Sequence, residues 1–244
     1  MTTAGDCIRL TDHFAAGSRD VTPAPARHAA RVLYAEVSRD PELTRRCARV
    51  LSNHELQRAE RLASSDSRAL FTQRRAFRRF CAALALGWSR PMSQIAFNET
   101  ENGRPYLPDS PDCCFSFSSC RFGFVGAWSS THGIGVDCED QTRDPGATEL
   151  AERFFSQAEA RAVAVPDDPT GRRNFFRLWC LKEAALKSIG EGLPFGLDAF
   201  EFELHPGPRV VHAPTDHGGA ERFDAHVIEA ADACTALVIR SLSL

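Results

Sequence analysis

Lysine is almost absent from this chain: only Lys182 and Lys187 occur among its 29 basic residues, and arginine supplies the rest. A chain that writes its cations as planar guanidinium forks has kept a compact, rotatable ammonium at two positions. The two groups are not interchangeable at a phosphate or a catalytic centre. Long apolar runs are also missing; none approaches the length that spans a bilayer. The opening residues Met1–Asp6 lack the basic stretch and apolar core of a secretory signal. These absences predict a cytoplasmic protein without a membrane partner. There is no CxxC pair and the cysteine count, 9, is odd, so the cysteines read as small buried hydrophobes in a reducing compartment. An excess of positive charge is missing too. A net charge of −3 argues against nucleic acid, whose binding domains are usually clearly basic. A Gly-rich phosphate loop ending in Gly-Lys-Ser/Thr is absent, which excludes a P-loop NTPase, and no protein-kinase signature set occurs.

What is present is ordinary for a globular protein: 244 residues, 43% hydrophobic and 25% charged, enough for one large domain or two small ones. Cys7–Leu10, Arg31–Val37, Gln94–Phe97, Cys113–Cys120, Phe122–Trp128 and Ile134–Glu139 read as strands. Pro23–Pro25 is a loop, and Thr131–Gly133 is a turn. Residues 41–87 read as two or three helical pieces, Ala147–Phe155 as a helix, and Ser156 with Glu159 as a capping box. Residues 166–171 form a loop. Ala199–Leu204, Arg209–His212, Arg222–Ile228 and Cys234–Arg240 predict a four-stranded antiparallel meander. A strand pair, a helical stretch and further strands recur, so the expected class is α+β with two similar α/β halves, residues 1–131 and 132–244, and a cleft between them.

Phe175, Leu178, Leu181, Ala185 and Ile189 form a helical stripe that ends before Gly190, a suitable C-terminal cap. Glu183 and Lys187, four apart, share one face of this helix. Lys182 is rotated from Glu183 by about 100° and is expected to meet a partner protein or a neighbouring acid. In Ile134–Glu139 the alternation puts Ile134, Val136 and Cys138 on one face and Gly135, Asp137 and Glu139 on the other. Adjacent carboxylates repel unless a cation joins them, and Mg²⁺ is commonly held by one or two carboxylates with substrate phosphates. Gly135 would leave room for a ligand. Upstream, Arg58 with Arg61 and Arg74 with Arg78 pair on helix faces, and Arg104 follows an Asn-Gly turn. A face of arginines suits a multiply charged phosphate ligand. Acids for a divalent metal beside cations for phosphate describe phosphoryl-type transfer.

Gly135-Val136-Asp137-Cys138-Glu139 followed by Trp179-Cys180-Leu181-Lys182-Glu183-Ala184-Ala185-Leu186-Lys187 resembles the paired signature of 4′-phosphopantetheinyl transferases of the large, surfactin-synthetase type. Gly103-Arg104-Pro105-Tyr106, Arg153-Phe154-Phe155-Ser156 with Glu159, and Gly192-Leu193 extend the resemblance over roughly Leu51 to Leu204. The resemblance implies that coenzyme A binds between the halves and that Mg²⁺ is held by Asp137, Glu139 and Glu183. The serine hydroxyl of an apo acyl or peptidyl carrier protein then attacks the phosphorus bearing the pantetheine arm, and adenosine 3′,5′-bisphosphate leaves. Glu183, or Glu159 through water, would be the base, and Lys187 would steady the pyrophosphate. Arg58, Arg61, Arg74, Arg78, Arg104, Ser118 and Ser119 would meet the nucleotide and its phosphates. The enzyme would act as a monomer. One departure stands out: Ser119 occupies the place of a histidine common in the family. It can donate one hydrogen bond but carries no charge, the feature that favours a second reading, a non-catalytic relative that binds coenzyme A or a carrier.

Overall fold

Two antiparallel sheets, each backed by a long helix, organise the chain. The computed structural model describes residues 18–163, 169–229 and 232–242, so the expected strand Cys7–Leu10 lies outside the described residues. In chain order the elements are β1 (Ser18–Asp20), β2 (Arg31–Glu36), α1 (Pro41–Ala48), α2 (Asn53–Glu60) and α3 (Ser65–Ala85). They continue with β3 (Asn98–Glu99), β4 (Pro105–Tyr106), β5 (Cys114–Ser119), β6 (Gly123–Ser129) and β7 (His132–Asp140). Then come α4 (Ala147–Phe154), α5 (Gln157–Val163), α6 (Pro169–Ile189), β8 (Glu201–Glu203), β9 (Arg209–His212), β10 (Phe223–Glu229) and β11 (Ala233–Ser241).

Local chemistry sets the helix ends. Asp40 caps α1 by accepting from Glu42 N at 2.9 Å, with Pro41 in the first turn. Ser52 and Glu55 close a capping box on α2, and Ser64 accepts from Ser67 N to start α3. At the other end of the chain Gly190 takes a left-handed φ of 83°. Its N–H bonds the Lys187 carbonyl at 3.2 Å and Glu191 N bonds the Leu186 carbonyl at 3.0 Å, the two bonds of a Schellman end. The expected cap at Gly190 is therefore present.

The first sheet has the order β1-β2-β6-β5, and the second the order β10-β11-β7. Each is covered by a helix of 21 residues, α3 on the first and α6 on the second. β11 is the central strand of its sheet, and its alternation feeds two cores. Cys234, Ala236 and Val238 pack with the buried stripe of α6. Ala233, Leu237 and Ile239 pack instead with Ile134, Val136 and Cys138 of β7 and with Val32, Tyr34 and Val125 of the first sheet. A third cluster joins α3 to β5 and β6 through Phe77, Phe80, Phe115 and Phe124.

Several sequence expectations are corrected. Gln94–Phe97 is not a strand. Met92–Gln94 form a 3-10 turn after Pro91, and Phe97 is anchored by its ring, edge-on to Phe115 at 5.3 Å and Phe117 at 5.5 Å. The last four strands are not one meander. β8 and β9 form a separate hairpin, and β11 turns back to pair with β7 as well as β10. Thr131–Gly133 is not wholly a turn, because His132 already pairs with Ser241. Of the loop expected at 166–171, residues 169–171 belong to the first turn of α6, and the rest lies outside the described residues.

Candidate active site

The site begins with a close approach of backbone to backbone. A side chain at Gly135 would collide with the Ala184 carbonyl and stand 2.7 Å from Ser188 N, and one at Gly133 would stand 2.7 Å from Ser188 O. The bare face of β7 therefore admits the last turns of α6, not a ligand as the sequence suggested. Tight docking lays Glu183 and Lys187 beside Asp137.

Lys187 Nζ donates to Asp137 Oδ1 at 2.7 Å and to the Val136 carbonyl at 3.2 Å, and stands 3.6 Å from Glu183 Oε2. From the first sheet Ser118 Oγ donates to the same Asp137 oxygen at 2.8 Å. Burial works against the Lys187 ammonium, but Asp137 and Glu183 outweigh it and hold its pKa above the ordinary lysine value. The carboxylates are crowded. Burial and the neighbouring Asp137 charge push Glu139 up to about 7, although Arg143 pairs with it at 2.8 Å. Burial and Asp137 also raise Glu183. Asp137 Oδ2 is buried and has no hydrogen-bond partner.

These observations bear on a divalent ion. Among the described residues no three His, Cys, Asp or Glu side chains already converge as a ligand set. Lys187 stands between Asp137 and Glu183, and Arg143 holds Glu139. The donor chemistry nevertheless fits Mg²⁺: three hard oxygen donors with excess negative charge, one carrying an orphaned buried oxygen.

The arginines form a second group. Arg58, Arg74 and Arg75 hold their guanidinium carbons 5.7, 5.8 and 5.3 Å from the centre of the Phe71 ring, and Arg78 lies 5.2 Å from the centre of Phe117. Burial, with the charges of Arg75 and Arg74, lowers Arg78 to about 10. Burial and the neighbouring Arg75 and Arg58 likewise lower Arg74. Arg74 Nε, Arg75 Nε and Arg78 Nε and Nη1 are buried donors without hydrogen bonds. Like charges held together with unspent donors describe an anion site. Arg74 Nη1 reaches Ser119 Oγ at 3.4 Å. Arg78 and Arg104 line one cavity together with Phe117, Glu183, Lys187 and Gly190, whereas Arg58, Arg74, Arg75, Asp137 and Glu139 do not line it.

Two expected residues stand elsewhere. Arg61 is the exposed C-terminal cap of α2, away from this cavity. Glu159 is enclosed. It accepts from Ser156 N at 2.8 Å and Phe202 N at 2.9 Å, and pairs with Lys182 at 2.8 Å with both side chains buried. A carboxylate filled in this way is a structural cap and counter-ion, which corrects the expectation that it acts as a base through water. Lys182, expected to meet a partner or an acid, meets the acid. It also donates to the Leu197 carbonyl at 3.1 Å and to that of Phe200. Sequence reasoning missed Arg75 and the aromatic platforms Phe71 and Phe117; the only signal was Phe71 at one helical turn from Arg74 and Arg75.

Comparison with known proteins agrees with this geometry. The model of the 4′-phosphopantetheinyl transferase superfamily matches residues 133–238. The chain is 36% identical over 126 residues to 4′-phosphopantetheinyl transferase Sfp of Bacillus subtilis, 51% of this chain and 55% of that protein. It is 30% identical over 174 residues to the L-aminoadipate-semialdehyde dehydrogenase-phosphopantetheinyl transferase of Xenopus laevis, 66% of this chain and 56% of that protein. Over these relatives the match thus spans little more than half their length. With 4′-phosphopantetheinyl transferase HetI of Nostoc sp. the identity is 32% over 162 residues, 65% of this chain and 67% of that protein. Two thirds of HetI is matched at this identity, and the span of the family model, residues 133–238, carries α6 and nearly all of β7, the pair that builds the site. The chain belongs to the 4′-phosphopantetheinyl transferase superfamily.

Proposed function

We propose that the protein transfers the 4′-phosphopantetheine group of coenzyme A to a serine of an apo acyl or peptidyl carrier protein, releasing adenosine 3′,5′-bisphosphate. The observation that carries this reading is one cavity bordered by Arg78 and Arg104 on one side and by Glu183 and Lys187 on the other. Arg74, Arg75, Arg78 and Arg104 bind the anionic end of coenzyme A, where their unspent donors find oxygens. Arg58, Ser118 and Ser119 complete that wall. Lys187 donates to the pyrophosphate oxygens as charge gathers on the leaving group. Glu183, which lines the cavity, takes the proton of the attacking serine hydroxyl. The serine oxygen forms a bond to phosphorus as the phosphorus–oxygen bond of the pyrophosphate breaks. Asp137, Glu139 and Glu183 would hold Mg²⁺, which when bound neutralises phosphate charge.

We also propose that residues 1–131 and 132–244 act as two halves related by a pseudo-twofold axis, and that the enzyme works as a cytoplasmic monomer without nucleic acid. The test is direct: incubate the protein with coenzyme A, Mg²⁺ and an apo carrier protein, and measure the pantetheine mass on its serine. Absence of that mass, with coenzyme A still bound, would favour the non-catalytic relative, which Ser119 beside Arg74 supports.

A further inference from the structure

Ser116, Ser118 and Cys120, every second residue along β5 and its end, meet the consecutive residues Val136, Asp137 and Cys138 of β7 along a seam. Val136 N donates to Ser116 Oγ at 3.0 Å, and Ser118 Oγ donates to Asp137 Oδ1 at 2.8 Å. The third rung is sulfur on sulfur: Cys138 Sγ donates to Cys120 Sγ at 3.5 Å. Both are free thiols. Cys120, just past the end of β5, is partly exposed, while Cys138 is buried between Asp137 and Glu139. The exposed Arg121 follows Cys120 and pairs with Asp140 at 3.1 Å. We propose that Cys120 and Cys138 are a dithiol modification site, oxidised to a cystine across the β5–β7 seam by small-molecule disulfides of the anionic glutathione class.

The sulfurs must close by roughly 1.5 Å to reach bonding distance near 2.05 Å, a movement the partly exposed Cys120 side chain can make. Exposure sets the order. The Cys120 thiol loses its proton and attacks one sulfur of oxidised glutathione; that S–S bond breaks, and one glutathione leaves with the electron pair and takes up a proton. The Cys138 thiol then gives up its proton and attacks the Cys120 sulfur, releasing the second glutathione. Two cysteine thiols are oxidised by two electrons, and one glutathione disulfide becomes two glutathiones. Cys47, Cys81, Cys180 and Cys234 are buried and should not react. The proposal is independent of the transferase reading, because it needs only the seam.

The test is peptide mapping without reductant after treating the folded protein with oxidised glutathione, with circular dichroism as the folding control. The expected product is a Cys120–Cys138 linked peptide, lighter than the two free peptides by two hydrogens, abolished in Cys120→Ser and reversed by dithiothreitol. Cys138→Ala should stop at glutathione on Cys120. A wild-type protein that stops at that adduct, links Cys120 to Cys114, or stays unlinked overturns the proposal. The wild-type map decides this even if Cys138→Ala does not fold.

Discussion

The helices α3 and α6 have equal length and the same task, covering an antiparallel sheet, yet they handle charge in opposite ways. On α3, Arg74, Arg75 and Arg78 lie on Phe71 and Phe117, close to one another, and Glu55 and Glu99 approach Arg75 and Arg78 only to 3.6–3.8 Å. On α6, which also carries Arg172, Arg173 and Arg177, the two lysines are each surrounded by oxygen. Lys182 meets Glu159 and two carbonyls; Lys187 meets Asp137, Glu183 and one carbonyl. A delocalised guanidinium tolerates an aromatic face and weak hydration, whereas an ammonium demands converging oxygens. The chain keeps lysine where a point charge is enclosed by acceptors. The two lysines then divide, one locking the fold and the other facing the cavity.

The largest effect should come from breaking the lock. Lys182→Ala leaves the Glu159 carboxylate buried without its counter-ion, at a cost of about 3–5 kcal/mol. Urea unfolding measures it, and Lys182→Met with Glu159→Gln should recover part of the loss. An unchanged unfolding midpoint for Lys182→Ala would remove the distinction between the lysines.

Next, Lys187→Ala should keep the fold by circular dichroism but lower phosphopantetheine transfer on the order of 10²–10³-fold. Lys187→Arg should not restore full turnover, since a planar fork cannot meet Asp137 and the Val136 carbonyl as the ammonium does. Near-normal turnover in Lys187→Ala would make the α6 face a surface ion pair.

On α3, Arg78→Ala should weaken coenzyme A binding by about tenfold to a hundredfold, with Arg74→Ala similar and the apparent affinity for the carrier little changed. Calorimetry with coenzyme A alone checks this; equal affinity in wild type and variant would reduce the arginines to sheet cover.

The smallest effect concerns Arg79, which on α3 donates hydrogen bonds to Glu55 at 2.6 and 3.1 Å. Burial pushes Glu55 up, but hydrogen bonds from Arg79 and Ser52 outweigh it and hold the carboxyl below its ordinary range. The unfolded chain therefore takes up the proton first. The pair's stabilisation is present above the ordinary glutamate range and is lost as pH falls toward the folded value. Tm should fall with acidification by about 2–4 °C for each kcal/mol lost. That slope should flatten in Glu55→Gln; an identical slope in the variant would show that other carboxylates govern it.

The β7–α6 pair was legible because both elements have strong periodicity and carry their chemistry on one face. Alternation alone separated Asp137 from Val136 and Cys138, and a four-residue spacing put Glu183 and Lys187 together. The arginines were legible only as a basic helical face. How closely each is paired, Arg79 with Glu55 at 2.6 Å and Arg78 with Glu99 at 3.6 Å, depends on residues distant in sequence. Gln94–Phe97 was misread because a short apolar run without a partner strand has the same pattern as one with a partner.

The sequence by itself determined the capped helices, the two faces of β7, the carboxylate–lysine set and the family resemblance, because each rests on spacing within one element. Only the tertiary structure decided that Gly135 admits a helix, that Glu159 belongs to Lys182, that β11 returns to β7, and that two cysteine sulfurs meet across a seam. Those outcomes depend on which surfaces pack together, and close packing between elements far apart in the chain leaves no period in the sequence to read.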